Sequence, residues 1–81
     1  MKTLKNIDVG ETVVVDGILG TGPLRRRFLD MGITKGAKIQ LKKVAPLGDP
    51  MEFSIRGYLL TIRKADADRI FVKEGEVKYE N

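Results

Sequence analysis

The sequence predicts a small, mainly β protein, in which five short strands close into a barrel and one short α-helix follows the first strand. Apolar and polar residues alternate over several stretches, which is the period of half-buried strands. Glycines and prolines divide these stretches into short segments. A domain of 81 residues buries only about 60–65% of its unfolded surface, so its core is thin. Closing a small sheet into a barrel provides a core and protects the strand edges together.

The first predicted strand covers Glu11–Ile18, which is rich in β-branched residues. The residues before it form a lead-in whose apolar anchors are Leu4 and Ile7. Gly17 and Gly20 fall at the end of this strand, where glycines favour a bulge or a sharp bend. We therefore expect an irregular first strand.

One short helix is predicted after that strand. Pro23 suits a first helical turn, and Thr21 is a candidate for the cap before it. Gly32 suits the helix end, where a positive φ is common. A helix of about two turns is not stable alone, so we expect it to lie on the sheet through one face. Its apolar residues, at spacings of four and three, are Leu24, Phe28 and Met31.

The second half of the chain predicts the other four strands. Arg56 and Gly57 form the two-residue turn of a hairpin. Residues Ala65–Asp68 suit one helical turn. The predicted strands are Lys38–Val44, Met51–Ile55, Tyr58–Arg63 and Ile70–Val72. We expect a barrel domain over residues 1–73 and a flexible charged tail over residues 74–81.

A stiff loop joins two of these strands. Pro46 fixes φ at the second position of a turn, and Gly48 suits the fourth. Asp49 precedes Pro50, which disfavours a helical conformation for it. Such a loop is either a recognition element on a rigid sheet or an ordinary connector, and the residues alone leave both interpretations open.

Composition excludes several kinds of chemistry. The chain has no cysteine and no histidine, which excludes disulfides, Cys/His zinc sites and histidine acid–base catalysis. Ser54 is the only serine and has no histidine to activate it. We therefore do not expect an enzyme. The sequence has no signal peptide and no apolar run long enough to cross a membrane, so we expect a cytoplasmic protein.

Positive charge is concentrated in the body of the chain. The net charge is +4, and residues 1–64 hold twelve Lys or Arg against six Asp or Glu. Arg25, Arg26 and Arg27 fan out around the predicted helix. They form either a solvated face or a guanidinium cluster for carboxylate or phosphate groups. A basic body suits nucleic acid, an acidic membrane surface or an acidic protein.

Several motifs together resemble the FeoA family, in order from about Leu4 to Val72. They are Leu29-Asp30-Met31-Gly32-Ile33, Gly36, Ala45-Pro46-Leu47-Gly48-Asp49-Pro50 and Arg56-Gly57-Tyr58-Leu59-Leu60-Thr61-Ile62-Arg63-Lys64. The resemblance implies an SH3-like barrel in a bacterial cytoplasmic protein. It also implies an accessory or regulatory role in ferrous iron uptake, beside the membrane GTPase transporter FeoB, and no enzymatic activity.

The first hypothesis is therefore a module that binds the cytoplasmic face of an iron transporter. The stiff loop would offer a preformed shape, and the arginines would steer an acidic partner. Leu24 also lies on the helix, but we expect it to belong mainly to the core. The predicted partner-binding residues are Arg25, Arg26, Arg27, Pro46, Leu47, Gly48, Asp49 and Pro50.

Two other hypotheses remain. A basic barrel can bind RNA or DNA, here through residues on or beside the strands: Lys38, Lys42, Lys43, Arg56, Arg63 and Lys64. Aromatic residues are only 6% of the chain, which provides little for base stacking. Alternatively, Asp49 and Glu52 could join backbone carbonyls in a weak site for a divalent metal ion, which would make the module a metal sensor.

Overall fold

The computed structural model describes residues 2–74. Its main elements are five strands and one two-turn helix, α1, which follows the first strand, as predicted. A one-turn helix, α2, joins the last two strands, and a 3-10 turn at Leu4–Asn6 precedes the first. The elements are β1 (Thr12–Ile18), α1 (Pro23–Asp30), β2 (Lys38–Val44), β3 (Met51–Ile55), β4 (Tyr58–Ile62), α2 (Lys64–Ala67) and β5 (Ile70–Glu74).

The strands form one antiparallel sheet in the order β4-β3-β2-β1-β5. The mainly β fold class is thus confirmed. β4 and β5 are the two edges, and within residues 2–74 they are not paired with each other. The link between them contains α2, whose Ala67 is fully buried. The chain that joins the two edges is therefore held to the core through this short helix.

Alternating residues of the strands build the core. On β3, Met51, Phe53 and Ile55 are buried, whereas the residues between them are partly exposed, as the period of two predicts. The predicted bulge in β1 is confirmed, because its register with β5 shifts between Val15 and Gly17.

Helix α1 lies on the core through Phe28, which is 2% exposed. Leu24 and Met31 are half-buried against the same core. Gly22 occupies the cap position and makes no side-chain hydrogen bond to the helix, so the predicted Thr21 cap is wrong. The helix lacks a capping side chain because the chain enters it through a glycine at φ 91°.

Two strand ends differ from the sequence prediction. β4 ends at Ile62 because Arg63 is the cap residue of α2. β5 continues to Glu74, which pairs with Val13 of β1. The predicted tail at residues 74–81 therefore starts too early by one residue. Its remainder, 75–81, lies outside the described residues, so its flexibility stays a prediction.

The segment before β1 is more ordered than a lead-in. Thr3 and Asn6 form a capping box at the 3-10 turn. The Thr3 side chain accepts a hydrogen bond from the backbone of the turn, and the Asn6 side chain accepts one from the Thr3 N–H. Leu4 and Ile7 are buried, which confirms them as anchors. The segment also bonds to β5, since the Val72 N–H donates to the Lys2 carbonyl at 3.0 Å. It therefore covers the outer side of β5.

Candidate partner-binding surface

The predicted stiff loop is closed by its own backbone. The Gly48 N–H donates to the Ala45 carbonyl at 2.7 Å, which completes the predicted turn. The Ala45 N–H donates to the Pro50 carbonyl at 3.0 Å and closes the base of the loop. Leu47 lies at the tip and is 96% exposed. The loop therefore presents one bare apolar side chain on a fixed frame.

Asp49 attaches this loop to the next element. Its Oδ1 accepts a hydrogen bond from the Lys64 N–H at 2.9 Å. Lys64 is the first residue of α2, whose own cap residue, Arg63, makes no side-chain cap bond. Asp49 thus supplies from the loop the acceptor that a helix N-terminus needs. One of the residues predicted to contact a partner therefore has a structural bond of its own.

The three arginines of α1 are exposed, but they do not face one site. Arg25 and Arg26 line a hollow of about 600 Å³ beside Pro23 and Leu29. Arg27 faces a different groove, on the side of β4. The sequence predicted that the three side chains fan out around the helix and left open a solvated face or a cluster; in the structure they line two different surfaces.

The second groove, called the α1–β4 groove below, has a volume of about 530 Å³. It brings Arg27 together with Pro50 of the stiff loop, and thereby joins the two predicted halves of the surface. It also contains Arg63, which was not among the predicted partner-binding residues. The lining residues are Arg27, Phe28, Met31, Pro50, Thr61, Ile62, Arg63 and Asp66.

Both guanidinium groups of this groove are available. The four ion pairs among the described residues all involve lysines, so no carboxylate in that part of the chain lies within 4.0 Å of Arg27 or Arg63. The groove can therefore offer two arginines to the carboxylate of an incoming molecule. Arg63 could have been found from the sequence only as a member of the Arg56–Lys64 motif, which gives no indication of its facing α1.

The β3–β4 hairpin holds the end of α1 and its exit. Arg56 Nε donates to the Gly32 carbonyl at 3.2 Å, and its Nη2 donates to Thr34 Oγ1 at 2.9 Å. The Tyr58 hydroxyl donates to the Met31 carbonyl. The Tyr58 bond satisfies a carbonyl that the helix end leaves unpaired, and the Arg56 bonds hold the residues that follow it. The sequence analysis did not predict these bonds, because it placed Arg56 in a turn and among possible nucleic-acid contacts, and neither role indicates contact with α1.

This arrangement requires the turn geometry and a glycine. Arg56 and Gly57 have φ values of 50° and 85°, the left-handed pair of a two-residue hairpin turn. Gly32 has φ 91°, and a Cβ there would lie 3.2 Å from both Arg56 and Tyr58 side-chain atoms. Gly32 thus serves as the predicted helix end and also makes room for the hairpin contacts.

The aromatic residues do not form a stacking platform within residues 2–74. Phe28 and Phe53 are buried, Phe71 is half-buried, and the hydroxyl of the exposed Tyr58 is bonded to α1. Tyr79 lies outside the described residues. Nucleic-acid binding would then depend on lysines and arginines alone, which provide little discrimination among bases.

The predicted metal-binding carboxylates have other contacts. Asp49 bonds to α2, and Glu52 Oε1 lies 4.0 Å from Lys43 Nζ. In the part of the chain that the structure describes, no three acidic residues converge as a metal site. Metal binding through Asp49 and Glu52 stays a prediction, which an anaerobic calorimetric titration with ferrous or manganous ion would test. None of the described helices is long and apolar enough to span a bilayer.

Comparison with known proteins agrees with the motifs. The family model of the FeoA domain matches residues 2–74. A fusion of Fe(2+) transport protein A with the Fe(2+) transporter FeoB, from Porphyromonas gingivalis, is 34% identical over 70 residues. That match covers 86% of this chain, and the chain spans only 8% of the length of the fusion protein.

Solved structures give the same result for the fold. The solution structure of the FeoA protein from Chlorobium tepidum is 37% identical, with a TM-score of 0.82 over 88% of this chain and 68% of that one. The crystal structure of FeoA from Stenotrophomonas maltophilia, described as an SH3 domain protein, is 21% identical, with a TM-score of 0.81. It matches 90% of this chain and 91% of its own. The SH3-like fold expected from the motifs is confirmed.

Proposed function

Because the chain belongs to the FeoA domain family, which is linked to ferrous iron transport, we propose that it is an accessory protein that binds a FeoB-type transporter. The observation that carries this proposal is the Porphyromonas gingivalis fusion, in which a similar segment and an Fe(2+) transporter form one polypeptide. Two domains that are joined in one chain in a relative are candidates to associate as separate chains. The binding would take place at the cytoplasmic face of the membrane.

The stiff loop and α1 support this proposal as a binding surface. The loop is closed by two backbone bonds and attached to α2 through Asp49, so little of its entropy is lost on binding. Leu47 at its tip gains most from being removed from water, since it is 96% exposed. The exposed arginines of α1 would attract and orient an acidic surface.

The role we propose is binding rather than catalysis. The chain has neither histidine nor cysteine, and the one serine, Ser54, is half-buried on β3 opposite Leu59. The arginines of the α1–β4 groove bind anions but do not exchange protons near neutral pH. The expected effect on the transporter is therefore on its assembly or its activity, through contact alone.

A binding assay with the cytoplasmic part of the transporter from the same organism tests the proposal. The variant Arg25→Ala/Arg26→Ala/Arg27→Ala should weaken binding about tenfold or more and reduce its dependence on salt. The matched control, Lys35→Ala/Lys38→Ala/Lys42→Ala, removes the same charge from exposed positions elsewhere. Equal weakening by both variants would show that net charge, and not α1, determines binding.

The loop has its own test. Leu47→Ser removes the apolar tip without touching the bonds that close the loop, and should cost about 1–2 kcal/mol of binding free energy if the tip is buried by the partner. Val9→Ser is the control, because Val9 is also an exposed apolar residue, at 61%. Unchanged affinity of the Leu47 variant would remove the loop tip from the interface, and absence of any binding by the unaltered protein would refute the proposal.

A further inference from the structure

The two edges of the sheet are finished in different ways. The outer side of β5 is covered by the N-terminal segment, since Thr3 forms a bridge with Phe71 and the Val72 N–H donates to the Lys2 carbonyl. No comparable segment covers β4 within residues 2–74. An open strand edge is a template for another strand unless something blocks it.

The register of the hairpin shows which groups β4 presents. In a two-residue hairpin the pair that closes the turn, here Ile55 and Tyr58, exchanges its hydrogen bonds inward. The alternation then directs the N–H and carbonyl groups of Leu59 and Thr61 away from β3. Neither residue makes another backbone or side-chain bond among the described residues. Both are exposed, Leu59 to 59%, so four backbone groups face solvent along this edge.

The side chains of β4 leave this edge unprotected. Its five residues, Tyr58–Ile62, carry no charge, although natural edges are usually blocked by charged residues or proline. Positive charges lie just beyond both ends, at Arg56 on one side and at Arg63 and Lys64 on the other. The α1–β4 groove opens beside Thr61 and Arg63, and it leaves room along that end of the strand.

The charges decide between a second copy of the chain and a different partner. Antiparallel pairing of two β4 strands about a two-fold axis at Leu60 would bring the hairpin turn of each copy, with Arg56, toward the end of the other strand, which Arg63 and Lys64 follow. Like charges directly opposite each other are destabilising. The same positions favour carboxylates on an incoming strand, because opposite charges there are attractive.

We propose that the β4 edge binds an extended segment of a partner protein, apolar in its middle and acidic at both ends, as an added sixth strand. The backbone of Leu59 and Thr61 would supply the hydrogen bonds, and Arg63 and Lys64 would select the charge, together with Arg56, whose guanidinium group also bonds to Gly32 and Thr34. The acidic residues would lie just beyond the two ends of the five-residue strand β4. This inference does not depend on the identity of the partner as a transporter.

The test uses a synthetic probe and the whole protein. The probe is a nine-residue peptide with blocked ends, Glu-Thr-Val-Thr-Val-Thr-Val-Thr-Glu, and its control carries lysine in place of both glutamates. Backbone amide NMR should show the acidic probe shifting Leu59 and Thr61 and slowing their amide exchange. The lysine probe should bind at least tenfold more weakly. Equal binding of both probes, or shifts confined to α1, would overturn the proposal.

Two substitutions of Thr61 distinguish loss of the edge hydrogen bonds from a general effect on folding. Thr61→Pro removes only an outward N–H, and proline is tolerated at such edge positions, so binding of the probe should be lost while the remaining spectrum is preserved. Thr61→Val keeps the N–H and should bind within about twofold of the unaltered protein.

Charge variants provide a second measurement that does not depend on how proline is accommodated. Arg63→Gln/Lys64→Gln should weaken the acidic probe about fivefold, whereas Lys35→Gln/Lys38→Gln should not. Retained binding in both Thr61→Pro and the Arg63 variant would exclude this edge. Concentration-dependent dimerisation that Thr61→Pro abolishes would identify a second copy of the chain as the occupant and refute the proposed acidic partner segment.

Discussion

Helix α1 and the N-terminal segment are both held against the sheet, but by different forces. α1 is fixed by the buried Phe28 and by hairpin bonds to the carbonyls of Met31 and Gly32, just after its end. The N-terminal segment is anchored by the buried Leu4 and Ile7 and, in addition, by polar contacts that include an ion pair. The buried Thr3 hydroxyl lies 3.0 Å from a carboxylate oxygen of Asp68, and Lys2 Nζ lies 2.7 Å from Glu11 Oε2. Apolar packing responds little to pH, whereas ionic contacts do, so the two elements should be separable by experiment.

The largest effect should come from the apolar side of this comparison. Phe28→Ala should lower the free energy of unfolding by about 3–5 kcal/mol, because it leaves a cavity under α1. Urea unfolding measures this loss. Leu24→Ala, at a half-buried position of the same helix, should cost clearly less. Equal losses would mean that α1 is not held mainly through Phe28.

A smaller loss is expected where the hairpin meets the exit from α1. Gly32→Ala should cost about 2 kcal/mol, since alanine is strained at φ 91° and its Cβ would displace Arg56 and Tyr58. Gly36→Ala is the matched control. Its φ is 93°, but no atom lies within 4 Å of the new Cβ. The difference between the two variants in thermal unfolding measures the hairpin contacts, and identical losses would assign them no role.

On the polar side, removal of one hydroxyl tests the N-terminal segment. Thr3→Val keeps the shape of the side chain but leaves its polar neighbours without that partner, and should cost about 1 kcal/mol. Thr12→Val, on an exposed position of β1, should be nearly neutral. Amide exchange should show that the loss is local to the segment and to Val72, which donates to it. Equally faster amide exchange in α1 would contradict a separate attachment of the two elements.

The smallest expected effect is a dependence of stability on pH, which the N-terminal segment should show and α1 should not. The Lys2 ammonium, and then the Asp8 N–H, lower the pKa of Glu11 below its ordinary value of 4.5. A pKa that is lower in the folded state contributes stability above the ordinary value, and this contribution is lost as the pH falls through the lowered pKa. Acidification below about pH 4.5 should therefore loosen the N-terminal segment, and Glu11→Gln should remove that part of the pH dependence.

Lys2, the partner of Glu11 in this ion pair, determines the pH dependence at alkaline pH. The pKa of Lys2 is raised above 10.5, chiefly by its hydrogen bond to Glu11. Its contribution is present below the ordinary value and is lost as the pH rises through the raised one. In urea unfolding measured at acid, neutral and alkaline pH, Phe28→Ala should lower the free energy of unfolding by the same amount at each pH. A pH-dependent shift in that variant would contradict the separation of the two elements.

The same comparison explains which parts of the molecule could be predicted from the sequence. The position of α1, the Ala45–Gly48 turn and the hairpin follow from local spacing and from glycine and proline, and these predictions were confirmed. The polar attachments did not follow, because their partners are distant in sequence. Thr3 and Asp68 are 65 residues apart, and Tyr58 and Met31 are 27 apart. Polar side chains also lack the periodicity that identifies an apolar face.

For the candidate site, prediction was limited in the same way. The stiff loop and the fan of arginines were expected, but a helical fan of three arginines does not reveal which one faces the loop. Only the packing of α1 beside β4 places Arg27 and Arg63 in one groove. Whether these residues bind a partner stays a prediction.

The two ends of the described chain meet on the β5 side of the sheet. Lys2 Nζ lies 3.6 Å from Glu74 Oε2, and Glu74 is the last residue of β5. A tether at either end would thus leave beside β5, at the edge of the sheet opposite β4. A partner on a short flexible tether experiences a millimolar effective concentration. In such a tethered arrangement, a surface with weak intrinsic affinity would still be occupied for much of the time.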